Sequence, residues 1–397
     1  MIQNIKLGIV TVWDERGAGY VSRHYYQYLS EFFNVFIYNR GYSKNKFPNL
    51  DYIYNAQKID SLKPMSINKK EFKEWIDKNG IEIILFNEQQ SWEPVLWCKE
   101  WKIKTIAYVD YYTEKTIKLH DAYDLLLCNT KRHFEAFKNH KNVKYFKWGT
   151  DLDLFKPVKV NNSIPTFFHS CGYSPGRKGT DLVLKAFNDI KYNFKLIIHT
   201  QINLKKYDIS LEPLIENLTK SKKLSIINKT VPAPGLYHLA DYYVYPTRLE
   251  GIGLTILESL SSGLIPILPD FPPMNEFVSK NHPYKISINK LYAREDGYFW
   301  PQVEVCDKSF HELLIKAIKS FPNNELKSEM REWSKKNFNF KTNFIGLDKA
   351  IKDLSFGSLE YDTKIAINEF ESNRPINHRL LNRINNFIYK IGYKIFK

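Results

Sequence analysis

The sequence predicts an α/β protein built from two domains with parallel sheets. Three observations carry this. Short β-branched and aromatic runs alternate with helix-period segments in both halves, the rhythm of βαβ units. Each half opens with such a run, then a glycine-bearing turn, then a helical pattern, as a doubly wound sheet does. The chain has 397 residues, enough for two domains of ordinary size, and Asn161-Asn162-Ser163 makes a polar hinge between them.

Taken in order, the first strand is expected over 5–12. Asp14-Glu15-Arg16-Gly17-Ala18-Gly19-Tyr20 turns into a helix carrying Tyr25, Tyr28, Leu29 and Phe32. That turn lacks the third glycine of a dinucleotide fingerprint, so it is not read as a cofactor site. Strands follow over 35–38, 82–86, 105–109, 125–128 and 143–146, with helical patterns over 70–77 and 131–138. The loop Asn87-Glu88-Gln89-Gln90-Ser91-Trp92 is polar with one aromatic, a composition suited to sugar contact. The second domain restarts with a strand over 166–170. A turn Cys171-Gly172-Tyr173-Ser174-Pro175-Gly176-Arg177-Lys178-Gly179 leads to a helix over 181–187. Strands over 195–199 and 224–227 come next, then a short helix over 236–240, and closing helices over 313–321 and 326–337.

The richest stretch is 245–276. A buried strand over 241–245 and another over 264–268 flank a Gly251-Ile252-Gly253 turn and a short apolar helix ending near Gly263. Strand, loop, helix, strand means parallel pairing. The N–H groups of Gly251, Ile252, Gly253 and Leu254 then face whatever lies above the strand ends, a setting attractive to phosphate. Glu258 follows Leu254 by one helical turn, and its side chain leans back toward that end. A carboxylate there accepts hydrogen bonds from a diol such as ribose; Glu250, in the loop, does the same for a sugar hydroxyl. Taken alone, Gly-x-Gly is weak, since an ordinary βα turn with two solvated glutamates reads the same way.

Composition narrows the function classes. Hydrophobic residues make up 43% of the chain, enough for well-packed cores. Cys98, Cys128, Cys171 and Cys306 are scattered with no Cys-x-x-Cys pair, which argues against a zinc site or disulfide framework and fits a reducing compartment. Asp14-Glu15-Arg16 breaks the N-terminal apolar run, unlike a signal peptide. No run reaches the about eighteen apolar residues of a membrane-spanning helix. The 58 basic and 43 acidic residues leave a net charge of +15, which favours anionic partners such as phosphorylated substrate, acidic lipid or nucleic acid.

The Glu-x7-Glu arrangement of Glu250 and Glu258, with its glycines and flanking strands, resembles the donor-site motif of retaining GT-B glycosyltransferases of family 4, the group 1 glycosyltransferases. Trp148-Gly149-Thr150-Asp151-Leu152-Asp153-Leu154-Phe155-Lys156-Pro157 resembles the segment that closes the first domain there, with Thr150 replacing an apolar residue. The resemblance covers roughly residues 5–340. It implies two Rossmann-like domains facing across a cleft, divided here at 1–157 and 158–350, with 351–397 as linker and tail. It implies a UDP- or GDP-linked sugar donor as substrate, with no cofactor and no metal. By residue, it assigns Glu258 to the nucleotide ribose and Glu250 to the donor sugar. The loop Gly251, Ile252, Gly253 and Leu254 faces sugar and diphosphate, and Gly17 and Gly19 face the acceptor side. Lys178 matches the family lysine for the diphosphate. The family arginine falls at Gly172 here, so Arg177 supplies that charge. A family histidine near the donor sugar is replaced by Asp110, with His120 nearby as a structural residue. Glu276 falls where the family carries a further glutamate. Asp151 and Asp153 are read as part of the domain-closing segment rather than a metal pair.

The tail over 376–397 places eight apolar residues at helical spacing beside Arg379, Arg383, Lys390, Lys394 and Lys397, with no acid. A helix of that kind lies in an anionic membrane surface; packing of the stripe on the body is the alternative. The expectation is therefore a retaining, metal-independent glycosyltransferase, cytoplasmic and peripheral at the membrane. It would serve a glycan or lipid-linked acceptor in surface polysaccharide assembly. Alternatives are a non-transferring enzyme of the same fold, an epimerase or phosphorylase, or a polyanion-binding protein; no nucleic-acid motif is visible.

Overall fold

The computed structural model describes residues 5–41, 56–61, 65–158 and 161–373. The tail over 376–397, and the amphipathic helix expected there, lie outside the described residues.

The first domain is a parallel sheet of seven strands in the order β3-β2-β1-β4-β5-β6-β7. The strands are β1 (Lys6–Thr11), β2 (Asn34–Asn39), β3 (Gln57–Asp60), β4 (Ile83–Phe86), β5 (Lys104–Tyr108), β6 (Leu125–Cys128) and β7 (Val143–Tyr145). All neighbours pair in parallel. The second domain repeats the plan with six strands in the order β10-β9-β8-β11-β12-β13. These are β8 (Thr166–Gly172), β9 (Lys195–Thr200), β10 (Leu224–Asn228), β11 (Tyr242–Val244), β12 (Ile265–Pro269) and β13 (Lys285–Ile286). Central strands such as β4 (IILF) and β12 (IPILP) are buried along their whole length, as parallel strands covered by helices must be. β3 was not expected: it is an exposed edge strand of sequence QKID, which carries no hydrophobic period.

In each sheet the strand order reverses beside the first strand, between β1 and β4 and between β8 and β11. Crevices open at such switch points, beyond the carboxyl ends of the strands. The two domains turn these ends toward each other, so the loops after β1, β4, β8 and β11 form one cleft.

Three further features depart from the expectations. After β13 the chain makes an antiparallel hairpin, β14 (Ile288–Tyr292) and β15 (Gln302–Val305), whose tip reaches the first domain. There Tyr298 bridges to Thr113, and Phe299 N–H donates to the Tyr112 carbonyl at 2.9 Å. The chain also crosses back earlier than residue 350. Phe340 packs on His24 at 4.8 Å between centroids, and Phe344 on Tyr25 at 5.1 Å. Part of the stretch from 351 expected as linker holds a helix, Tyr361–Ser372. It buries Ile367 against the first domain, and Glu371 accepts from the Trp92 N–H at 2.6 Å. Its apolar stripe is thin, one buried residue, which is why the sequence hides it.

Candidate active site

The cleft encloses about 860 Å³. Its second-domain wall begins where β8 ends. Gly172 takes φ 51°, a conformation that favours glycine, and turns the chain into the short helix Pro175–Lys178. Gly179 stops that helix at φ 73°, where an added Cβ would sit 2.2 Å from the Pro246 carbonyl oxygen. Glycine is therefore required for the helix end to touch the loop after β11. That contact brings Arg177 and Lys178 against Glu250.

Glu250 is buried, and one oxygen collects the donors. Its Oε1 accepts from Lys178 Nζ at 2.6 Å, Tyr245 OH at 2.7 Å and Thr247 Oγ1 at 2.8 Å, with Arg177 Nη1 at 3.2 Å. Lys178 also donates to the Tyr245 hydroxyl. Burial alone would raise the carboxyl, but Arg177 and Lys178 outweigh it and hold Glu250 ionised, down at about 2. Burial, reinforced by Arg177, pulls Lys178 down to about 8 against the opposing pull of Glu250. Two cations and one carboxylate leave this cluster one net positive charge on the cleft wall.

The helix Leu254–Ser261 starts at Gly253, φ 93°, with no side-chain cap. An added Cβ on Gly251 would meet nothing within 4 Å, so the loop is open to a ligand. Glu258 lies one turn in, half-buried, and accepts from Tyr237 OH at 2.6 Å. Burial pushes its carboxyl up to about 7, with Tyr237 and Lys178 pulling the other way.

Opposite stand Gly17, Glu88 and Asp110. An added Cβ on Gly17 would come within 4.0 Å of Leu254, so the two glycine turns face each other across the cleft. Gly19 is placed differently: it is behind the wall, and its missing Cβ would lie 2.0 Å from the Asp14 carbonyl oxygen. It serves close packing rather than ligand contact. Asp110 is raised to about 8 by burial and by Glu88. Glu88 pairs with Arg16 at 3.0 Å, and buried Arg40 holds the carbonyls of Asn87 and Glu88 at 2.9 and 3.0 Å.

Several expected residues lie elsewhere. Trp92 is buried against His120, 5.0 Å between centroids, so the loop's aromatic is core and not a sugar platform. His120 Nδ1 donates to the Thr116 carbonyl at 2.9 Å, a bond within its own local turn. Asp151 Oδ1 caps its own turn, accepting from the Asp153 and Leu154 N–H groups, each at 3.0 Å. Glu276 reaches the other domain and accepts from the Lys131 N–H at 2.9 Å, at the start of the helix Lys131–Phe137. Among the described residues no group of three or more His, Cys, Asp or Glu is arranged to hold a metal.

Sequence reading missed Tyr237, Tyr245 and Thr247. Tyr245 and Thr247 flank the motif and could have been found by asking what satisfies a buried Glu250; Tyr237 carries no local signal.

The fold compares with known structures over nearly the whole chain. A glycosyltransferase from Rickettsia africae ESF-5 superposes with TM-score 0.72 at 15% identity, covering 89% of this chain and 100% of that one. Sucrose-phosphate synthase from Thermosynechococcus elongatus gives 0.67 at 15% identity, covering 88% and 99%. HepE from Anabaena, solved with UDP and glucose, gives 0.65 at 12% identity, covering 88% and 100%. The fold is GT-B. Residues 155–336 of this GT-B chain, most of the second domain, match the family model for glycosyl transferases group 1. An uncharacterized glycosyltransferase of Sulfolobus islandicus rod-shaped virus 1 is 28% identical over 136 residues, 31% of this chain. That match spans 38% of the viral protein's length.

Proposed function

We propose that the chain is a retaining, metal-independent glycosyltransferase that moves a sugar from a nucleotide-sugar to a glycan or lipid-linked acceptor. The observation that carries this is the Arg177–Lys178–Glu250 cluster beside Glu258 and the uncapped Gly253 helix start, all on one wall of a cleft between two sheets. Neighbours of the same fold were crystallised with UDP and with UDP-glucose, which supports a nucleotide-sugar donor.

In this reading the ribose diol bonds to Glu258. The diphosphate meets Arg177, Lys178 and the N–H groups of residues 251–254, which neutralise the charge that develops as it departs. Glu250 accepts from a donor-sugar hydroxyl through Oε2, because the protein bonds recorded above all converge on Oε1. The acceptor enters over the first domain beside Asp110. The anomeric carbon–phosphate oxygen bond breaks and the bond to the acceptor oxygen forms on the same face. The acceptor proton passes to a departing phosphate oxygen.

The test is a thermal-shift screen of UDP- and GDP-sugars, since a ligand of the folded state raises its melting temperature, followed by transfer assays with product anomer determination. No stabilisation by any nucleotide-sugar, or an inverted product, overturns the reading. Activity should survive EDTA; loss on chelation restored by Mg²⁺ or Mn²⁺ would remove metal independence. The acceptor class rests on the basic stripe over 376–397. Full-length chain should cosediment with anionic liposomes, and a chain ending at Arg374 should not. Equal binding by both removes the membrane-borne acceptor.

A further inference from the structure

The donor loop is held from the other domain. Arg132 and His133 sit in the first turns of the helix Lys131–Phe137, fully buried and off the cleft wall. Arg132 donates through Nη2 to the Glu250 carbonyl and through Nη1 to the Pro272 carbonyl at 3.1 Å, its guanidinium lying 5.2 Å over the Trp300 ring. His133 Nε2 meets the Gly251 carbonyl at 3.1 Å, and its Nδ1 meets Tyr112 OH at 2.9 Å. Trp300, on the β14–β15 hairpin, donates its indole N–H to that same hydroxyl.

The direction of this chain is fixed by chemistry. An indole N–H only donates and a carbonyl only accepts. Trp300 therefore donates to Tyr112, Tyr112 donates to His133 Nδ1, and His133 carries its proton on Nε2 and donates to Gly251. Burial, with Arg132 beside it, pushes His133 down to about 3, so the ring stays neutral and keeps this tautomer. Glu276 and Thr130 cap the helix start and hold both residues in place.

In a trans peptide the N–H points opposite to the C=O. Turning the carbonyls of Glu250 and Gly251 toward the first domain turns the N–H groups of Gly251 and Ile252 the other way. Among the described residues neither N–H has a protein acceptor, and both residues line the cleft. We propose that Arg132 and His133, with Tyr112 and Trp300 behind them, are positioning residues that orient the donor-loop N–H groups for the donor's diphosphate. The donor site is then complete only when the first domain is docked on the second.

This rests on the nucleotide-sugar reading of the cleft. Isothermal titration of UDP and GDP, and of uridine and guanosine, against wild type, Tyr112→Phe, His133→Ala and His133→Gln separates the two. Tyr112→Phe and His133→Ala should weaken the nucleoside diphosphate by roughly five- to tenfold, the scale of one hydrogen bond. The nucleoside should bind as to wild type. His133→Gln, whose amide can donate to Gly251, should recover most of the loss. If His133→Ala fails to fold, Trp300→Phe, which trims only the far end of the relay, is titrated instead. Unchanged diphosphate affinity overturns the proposal, and so does an equal loss for nucleoside and diphosphate. Wild type that binds none of the four overturns the donor reading itself, and the positioning role falls with it.

Discussion

Oxygen Oε1 of Glu250 holds two cations and two hydroxyls, and that convergence sets the chemistry at residue scale. Lys178→Ala should lower turnover by about 10²-fold, the usual cost of removing a donor from a site of developing negative charge. Arg177, Tyr245 and Thr247 continue to hold the carboxylate, so the melting temperature should fall far less; wild-type transfer by purified Lys178→Ala would remove the diphosphate assignment. Glu258 supplies a pH test. Its carboxyl is raised from 4.5 to about 7, mainly by burial. The stability that comes from keeping it neutral is full below about 4.5 and is lost as pH rises through about 7. Ligand binding has the opposite sign, because a ribose diol needs the ionised acceptor. The nucleotide-induced rise in melting temperature should therefore shrink as pH drops through about 7. Glu258→Gln should flatten that profile, and Glu258→Ala should weaken nucleotide by about 1.5–3 kcal/mol, the range for a hydrogen bond to a charged group. An unchanged profile in Glu258→Gln would place the titration elsewhere.

At the scale of elements, two turns with similar sequences do different work. A Cβ at Gly19 would overlap the Asp14 carbonyl oxygen, so Gly19→Ala should destabilise the fold by about 1–3 kcal/mol, as overpacking does. A Cβ at Gly251 meets no protein atom. Gly251→Ala should keep the wild-type melting temperature and weaken the nucleotide-sugar. Denaturation and titration of both variants check this, and a swapped pattern would reverse the roles given to the turns. The sequence marked both as glycine turns after a strand. It could not separate them, because the difference is which backbone lies across from each one.

At the scale of the molecule, the domains meet at several places beyond the hinge. The hairpin reaches Tyr112, Glu276 caps a first-domain helix, and the chain from Phe340 onward packs on the first domain. A chain ending at Asn339 loses Phe344 from its contacts with Tyr25 and Trp148, and loses the Glu371 bond to Trp92. It should unfold earlier and in two steps by calorimetry, with the first domain melting first. A single transition at the wild-type temperature would mean that these residues contribute nothing to the first sheet.

The sequence by itself determined the two parallel sheets, because strand and helix periods are local and the central strands, such as β4 and β12, are apolar over their length. It also marked the 250–258 stretch as one site, because Glu250, the glycines and Glu258 lie within nine residues of one another and one βα turn presents them together. Only the tertiary structure decided that Lys178 and Arg177 neutralise Glu250, that Glu276 serves a helix of the other domain, and that Arg132 and His133 hold the carbonyls of Glu250 and Gly251. Those contacts join residues more than 70 positions apart. Their geometry is set by how two domains dock, and no local period or motif records it.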